Sequence, residues 1–416
     1  MADIINLLSA LNPDSDLAAV RLDRPDALAN AQRSFEALLE PVNPGTFSFG
    51  ERYAVASYVA GVHRVGNAFT FYSELLLDDA PATLRDAVVA AVEHGRSTGP
   101  YGTYREPGLA AESEPGGVVH HDVAALGDRL AAALDVAHLM IFHPRDSRPE
   151  VLGRLSAAGW SADDTVSLTQ LVSFLCFQLR VIHGLQVING HEHIEQASRK
   201  EGEAADWRLS DRGFEISTYP ELHRPEKFVS HSLGWRPWVP PVAKADLSEE
   251  QTEALIKPER QDMPYFRLLA RDPQALKART LTDLDIFYNV DSGIGRAERE
   301  VAAAVTSRLN GCVYCASVHT HRALEESEGR EADIERLLDE GVDADLGDEL
   351  WNAIGSAAAA LTRTPMQFGE AHVERLAALD LDATAVIDII NAAAFFNWAN
   401  RLMLVLGEPE LPARFR

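Results

Sequence analysis

The sequence predicts an all-α protein built from two related helical units, the first a degenerate copy of the second. Three observations carry that prediction. Alanine and leucine runs recur through 416 residues that are 46% apolar, while alternating β-branched stretches are few. The segment RLSAAGWSADDTVSLTQLVSFLCFQLRVIHGL, starting at Arg154, returns as RLAALDLDATAVIDIINAAAFFNWANRLMLVL, starting at Arg375, at a constant offset of 221. Between the copies stand Pro237, Pro240 and Pro241, which forbid regular helix and favour extended chain.

The elements follow in chain order. In the first unit, residues 1–195, FGERYAVASYVAGVHRVGNAFTFY from Phe49 is similar in character to AEREVAAAVTSRLNGCVYCASVHTHR from Ala297. Aligning Glu51 with Glu300 sets the copies 249 apart, and aligning Glu51-Arg52 with Glu298-Arg299 sets them 247 apart. Either offset exceeds 221, so the first copy carries 26 to 28 extra residues. STGPYGTYREPGLAAESEPGGVVHHD, residues 97–122, is rich in Gly, Pro and acids and reads as the surface loop that holds them, with His120-His121 on a mobile stretch. Ser161 and Asp382 are equivalent N-caps for the apolar helices that follow, and Gly184 and Gly407 lie near the far ends, where a C-cap glycine is useful. The charged, solvated run EQASRKEGEAADWRLSDRG, from Glu195, leads into a connector, residues 196–245, that continues as GWRPWVPP, which Trp235 and Trp238 are expected to pin to a helical unit. Asp246 or Ser248 then opens the second unit, residues 246–416.

A net charge of −25, from 63 acidic against 38 basic side chains, disfavours nucleic acid and anionic membrane as partners. No basic and apolar leader and no uninterrupted apolar run of membrane-spanning length is evident, so a cytoplasmic location is expected. Three cysteines do not make a disulfide framework. Two of the three nevertheless stand together, in GCVYCASVHTH.

AERE at 297–300 opens an alanine-rich helix that Asn310-Gly311 breaks, and a new helix begins at or near Cys312. On it Cys312, Cys315 and His319 share one stripe, since seven residues fall about 20° short of two turns. His321 falls nearly opposite. A C-x2-C-x3-H-x-H zinc site would therefore lack its fourth ligand unless His120-His121 or His191 and His193 supplied it, so no metal is expected. Dithiol redox chemistry fits better. A cysteine in a first helical turn feels the positive dipole end, which lowers its pKa, and a second thiol one turn away can close a disulfide. His319 can move the thiol proton, and Glu300, on the preceding helix, can orient the imidazole.

The constellation E-x11-C-x2-C-x3-H, here Glu300, Cys312, Cys315 and His319, resembles the motif of the AhpD-like alkylhydroperoxidases of the carboxymuconolactone decarboxylase superfamily. GWRPWVPP, PYFRLLARDP and FFNWANRL are similar to its peroxidase-related members. The resemblance covers the second unit and reaches the first only as a degenerate copy. It implies an all-helical fold that forms homo-oligomers, commonly trimers or hexamers. It implies reduction of organic hydroperoxides, with Cys315 attacking the peroxide, Cys312 resolving, and Glu300 and His319 relaying the proton. It implies that no cofactor is bound and that an external dithiol, lipoyl or thioredoxin-like, supplies the electrons. Some members carry a histidine between the cysteines where this chain has Tyr314, a much poorer base.

The alternatives are a carboxymuconolactone decarboxylase-type lyase acting on a small acidic metabolite through a cationic pocket, and a redox sensor without turnover. The first unit lacks the thiols: the cysteine positions hold His63 and Gly66 in one register, Val65 and Ala68 in the other. Cys176 reads as an inert core thiol; Asn397, Trp398 and Asn400 fit equally well the lining of a pocket or a partly buried helix with satisfied amides.

Overall fold

The structure, a computed structural model, describes residues 3–200 and 206–416; residues 201–205 of the charged run lie outside the described residues. Helices α1 (Ile4–Leu8), α2 (Asp16–Val20), α3 (Pro25–Leu39), α4 (Phe49–His63), α5 (Gly66–Asp79) and α6 (Ala82–Gly95) precede the long loop. After it come α7 (Val123–Leu126), α8 (Asp128–Phe142), α9 (Pro149–Ala157) and α10 (Ala162–Ile188). Strand β1 (Gly234–Pro237) leads into α11 (Glu249–Ala254), α12 (Pro264–Leu269), α13 (Pro273–Tyr288), α14 (Arg296–Asn310) and α15 (Val313–Glu325). The chain closes with α16 (Glu331–Glu340), α17 (Glu349–Thr362), α18 (Glu370–Ala377), α19 (Ala383–Val405) and β2 (Gly407–Glu410). The fold is all-α, with β1 and β2 pairing antiparallel as a small two-stranded ribbon.

The helices repeat as the sequence does. Helices α4 and α14, and likewise α5 and α15, start 247 residues apart (49 to 296, 66 to 313). Helices α8 and α17, α9 and α18, and α10 and α19 start 221 apart (128 to 349, 149 to 370, 162 to 383). The first offset decides between the two registers. Cys312 and Cys315 fall on Val65 and Ala68, and His63 falls on Asn310. His63 is therefore no cysteine equivalent; it is buried, and its Nδ1 bonds the Val59 carbonyl within its own helix.

Helices α10 and α19 pack against each other at the centre. Ser161 and Asp382 cap them, each accepting from a backbone N–H three residues on, at Asp164 and Ala385. The glycines expected as C-caps serve otherwise. Gly184 sits inside α10, where a Cβ would meet Ile390 Cδ1 at 2.8 Å, so it sets how closely the two helices approach. Gly407 begins β2, under the Trp235 ring. Helix α10 is long and apolar enough to cross a bilayer, yet 89% of its most apolar window is buried within the protein.

Polar ties repeat too. Arg180 of α10 donates to the Thr362 carbonyl at the end of α17 (2.8 Å), and Arg401 of α19 donates to the Ile141 carbonyl near the end of α8 (3.3 Å). Both guanidiniums thus meet the negative end of a helix, and both are wholly buried. Burial, together with the Arg401 charge, pulls Arg180 down to about 9. At the N-terminus of α3, Arg24 pairs with Asp388 of α19 at 2.8 Å.

The 97–122 loop is more than surface chain. Gly99 and Thr364 exchange backbone bonds, Tyr101 is buried, and His121 lies inside, its Nδ1 on Asp135 at 2.9 Å and its Nε2 on the Tyr58 hydroxyl at 3.1 Å. The expectation of a mobile His120-His121 is thereby overturned for His121: a buried carboxylate holds it. Trp235 and Trp238 do pin the connector, as expected, donating to the Met403 carbonyl and to Glu408. Ser248, with Gln251, forms the capping box that opens α11.

Candidate active site

Helix α14 ends where Gly311 takes the left-handed conformation (φ +82°), which an L side chain adopts only under strain. The turn lets Cys312 serve as the N-cap of α15, and Cys315 and His319 follow one and two turns along. Glu300, one turn into α14, comes back across that turn to His319. Its Oε2 lies 2.5 Å from His319 Nδ1, and its other oxygen accepts from Arg296 Nε at 3.3 Å. All four predicted residues are buried and adjacent on one helix pair.

The electrostatics are specific. Burial works to raise the Glu300 pKa, but His319, Arg322 and Arg296 outweigh it and hold the carboxyl below its usual range. An ionised Glu300 accepts, so Nδ1 carries a proton and donates to it. The imidazole is wedged against Phe396, ring centres 3.9 Å apart, and against Phe287 at 5.7 Å. Packing and the carboxylate thus fix both the orientation and the tautomer of His319.

Cys312 and Cys315 are free thiols. The expectation that the helix dipole lowers the thiol pKa fails at Cys312. Burial, then the neighbouring Cys315, push it well up. A dipole contributes under about 1 kcal/mol, whereas full burial can move a pKa by several units. Tyr314, between them, is pushed up to about 12 by burial and the two sulfurs, so it stays protonated near neutral pH. His321 is exposed and pairs with Glu325 on the far side of α15, as the helical spacing requires.

Cys312 lies under a cover that sequence reasoning did not foresee. The space beside it is about 30 Å³, room for about two waters, and is framed by Tyr104, Arg105 and Glu106 of the loop with Trp235, Trp238 and Glu408. Arg105 pairs with Glu408 at 3.0 Å, and Arg224 with Glu106 at 2.9 Å. The equivalent place in the first half, beside Arg64–Asn67, is an open cavity of about 530 Å³. There Tyr72, whose hydroxyl bonds Gln178, stands where His319 would be.

Cys176 is a buried core residue on α10. Asn397 and Asn400 are buried and bonded to Asn310, Thr362 and Ser307, which is the structural reading of these amides. Sequence reasoning missed Arg279 and Asp283 on α13. They stand about two turns and one turn, respectively, before Phe287, which packs on His319; two charges on that apolar stripe were the available signal.

A family model described as Carboxymuconolactone decarboxylase family matches residues 273–359. That span contains Glu300, Cys312, Cys315 and His319. No curated protein matches the chain.

Proposed function

From a chain whose residues 273–359 belong to the carboxymuconolactone decarboxylase family, in the AhpD-like superfamily, we propose a thiol-dependent hydroperoxide reductase. The observation that supports it is the Glu300–His319 dyad held beside two adjacent thiols. His319 Nε2 takes the proton of Cys315. The thiolate sulfur then takes the distal oxygen of a hydroperoxide, the O–O bond breaks, and the alcohol leaves with the proton from His319. The sulfenic acid left on Cys315 condenses with the Cys312 thiol, forming a disulfide and releasing water. An external dithiol returns both sulfurs to thiols and is itself oxidised to a disulfide.

The raised pKa of Cys312 suits a resolving thiol, since it does not compete for peroxide as a thiolate. The test is turnover of an organic hydroperoxide with excess dihydrolipoamide. Cys315→Ser and Cys312→Ser each abolish turnover, only Cys312→Ser accumulates a sulfenic acid, and Glu300→Gln slows turnover by about 10²–10⁴-fold. Turnover that survives both cysteine changes would refute the thiol mechanism. A disulfide that forms once without turning over would make the pair a sensor.

A further inference from the structure

One charge beside the dithiol is unaccounted for. Arg279, in the middle of α13, is only 6% exposed. Its guanidinium carbon lies 5.0 Å from the ring centre of Phe395, 5.8 Å from that of Trp398 and 5.9 Å from that of Tyr265. It makes no hydrogen bond or ion pair with any described residue, and its Nε is buried without a partner. Other buried arginines differ: Arg52, Arg180, Arg299, Arg308 and Arg401 each donate to backbone carbonyls. A guanidinium nitrogen buried without an acceptor is unfavourable, while the two terminal nitrogens, which are not among the buried unpartnered atoms, stay open to acceptors that a ligand brings.

A second orphan lies next to it. The Tyr265 hydroxyl is buried without a partner, and Cys315 and Tyr314 are close enough to help push its pKa up, after burial itself. Two unsatisfied donors and the thiol therefore share one region. Half-buried Tyr265, Phe266, Asp283, Tyr314 and Arg322 surround it. Asp283 faces Arg279, His319, Arg322 and Glu300; burial raises its carboxyl pKa, and it makes no ion pair with Arg279 among the described residues. Arginine's planar fork matches a carboxylate in two parallel bonds, and a phenol can add a third.

We propose that Arg279 and Tyr265 form a carboxylate-binding subsite beside Cys315, so that the hydroperoxide reduced here is an acid with an apolar body. The chemistry of this substrate rests on the peroxidase reading; the binding of a carboxylate does not. The carboxylate is a spectator in the redox step and sets which peroxides present their O–O bond to the sulfur.

Two measurements on the full chain test this. Octanoate and octanol are titrated calorimetrically into the reduced wild type, Arg279→Met and Tyr265→Phe. Octanoate is expected to bind the wild type at least tenfold tighter than octanol, and Arg279→Met to remove that preference while its melting temperature holds or rises, as for any unpaired buried charge replaced by a thioether. In turnover, the ratio of kcat/KM for linoleate hydroperoxide over its methyl ester is expected to fall at least tenfold in Arg279→Met. Equal binding of octanoate and octanol by the wild type overturns the subsite. So does an Arg279→Met protein that melts lower yet binds octanoate unchanged, which would make Arg279 a structural cation. If the wild type turns over neither hydroperoxide, the peroxidase reading falls, and the octanoate titration alone decides the subsite.

Discussion

Asp135 illustrates what a single buried carboxylate does here. Burial would raise its pKa, but hydrogen bonds from His120 and His121 outweigh that and draw it down to about 2. Its folded pKa lies below the unfolded value, so its contribution is complete above about pH 4 and is lost as pH falls through about 2. A shift of that size corresponds to about 2 kcal/mol. Asp135→Asn is accordingly expected to be less stable at pH 7 by about that amount and to flatten the slope of stability between pH 4 and 2. Urea midpoints across that range check it; a slope equal to wild type would remove Asp135 from the account. Reading the sequence could not reach this pair, because His121 and Asp135 belong to a loop and a helix joined only by packing. Glu300 and His319 were legible because they lie on consecutive helices whose turn, at Asn310-Gly311, is written in the local residues. Arg279 was not: its significance is the absence of a partner, and partners are a tertiary property.

At the scale of elements, helix identity and N-caps were legible wherever local chemistry decides them. Ser161, Asp382 and Ser248 cap their helices through bonds to residues three positions on. Gly184 shows the opposite case. A glycine near a helix end reads as a stop, but here a crossing helix needs its missing side chain. Gly184→Ala would gain about 1 kcal/mol in helix propensity and lose about 1–3 kcal/mol to overpacking against Ile390. The net change is expected to destabilise, and on an Ile390→Ala background its sign should reverse. Thermal or urea unfolding of the two single variants and the double variant measures this coupling; additive effects would mean that Ile390 yields without cost.

For the whole molecule, the two halves complete one another asymmetrically. Position 184 corresponds to 405, so in a pair of second halves Val405 would stand where Gly184 stands, opposite Ile390. Arg180 would likewise lose the acceptors at the end of α17 if the second half were absent, keeping only the Cys176 carbonyl of its own helix and its contact with His63. Residues 1–195 and 246–416 made separately are expected to lack fixed tertiary packing, and co-expression to restore it. Near-ultraviolet circular dichroism and co-purification test this; a well-packed dimer of 246–416 would contradict it. The internal repeat itself was legible from the offset of 221, but which residues at the joint had diverged to fit each other was not, since it depends on a crossing that no local pattern encodes.

The central crossing also imposes a schedule. Helix α10 is complete at Ile188, while α19 begins only at Ala383. At ribosomal speeds of about 5–20 residues per second, the partner follows after roughly 10–40 seconds. Through that interval a long, apolar helix waits without the surface it is shaped for, in the condition of the isolated first half. The same Gly184 contact that joins the finished protein thus makes its synthesis a period of exposure, during which a chaperone would have to stand in for α19.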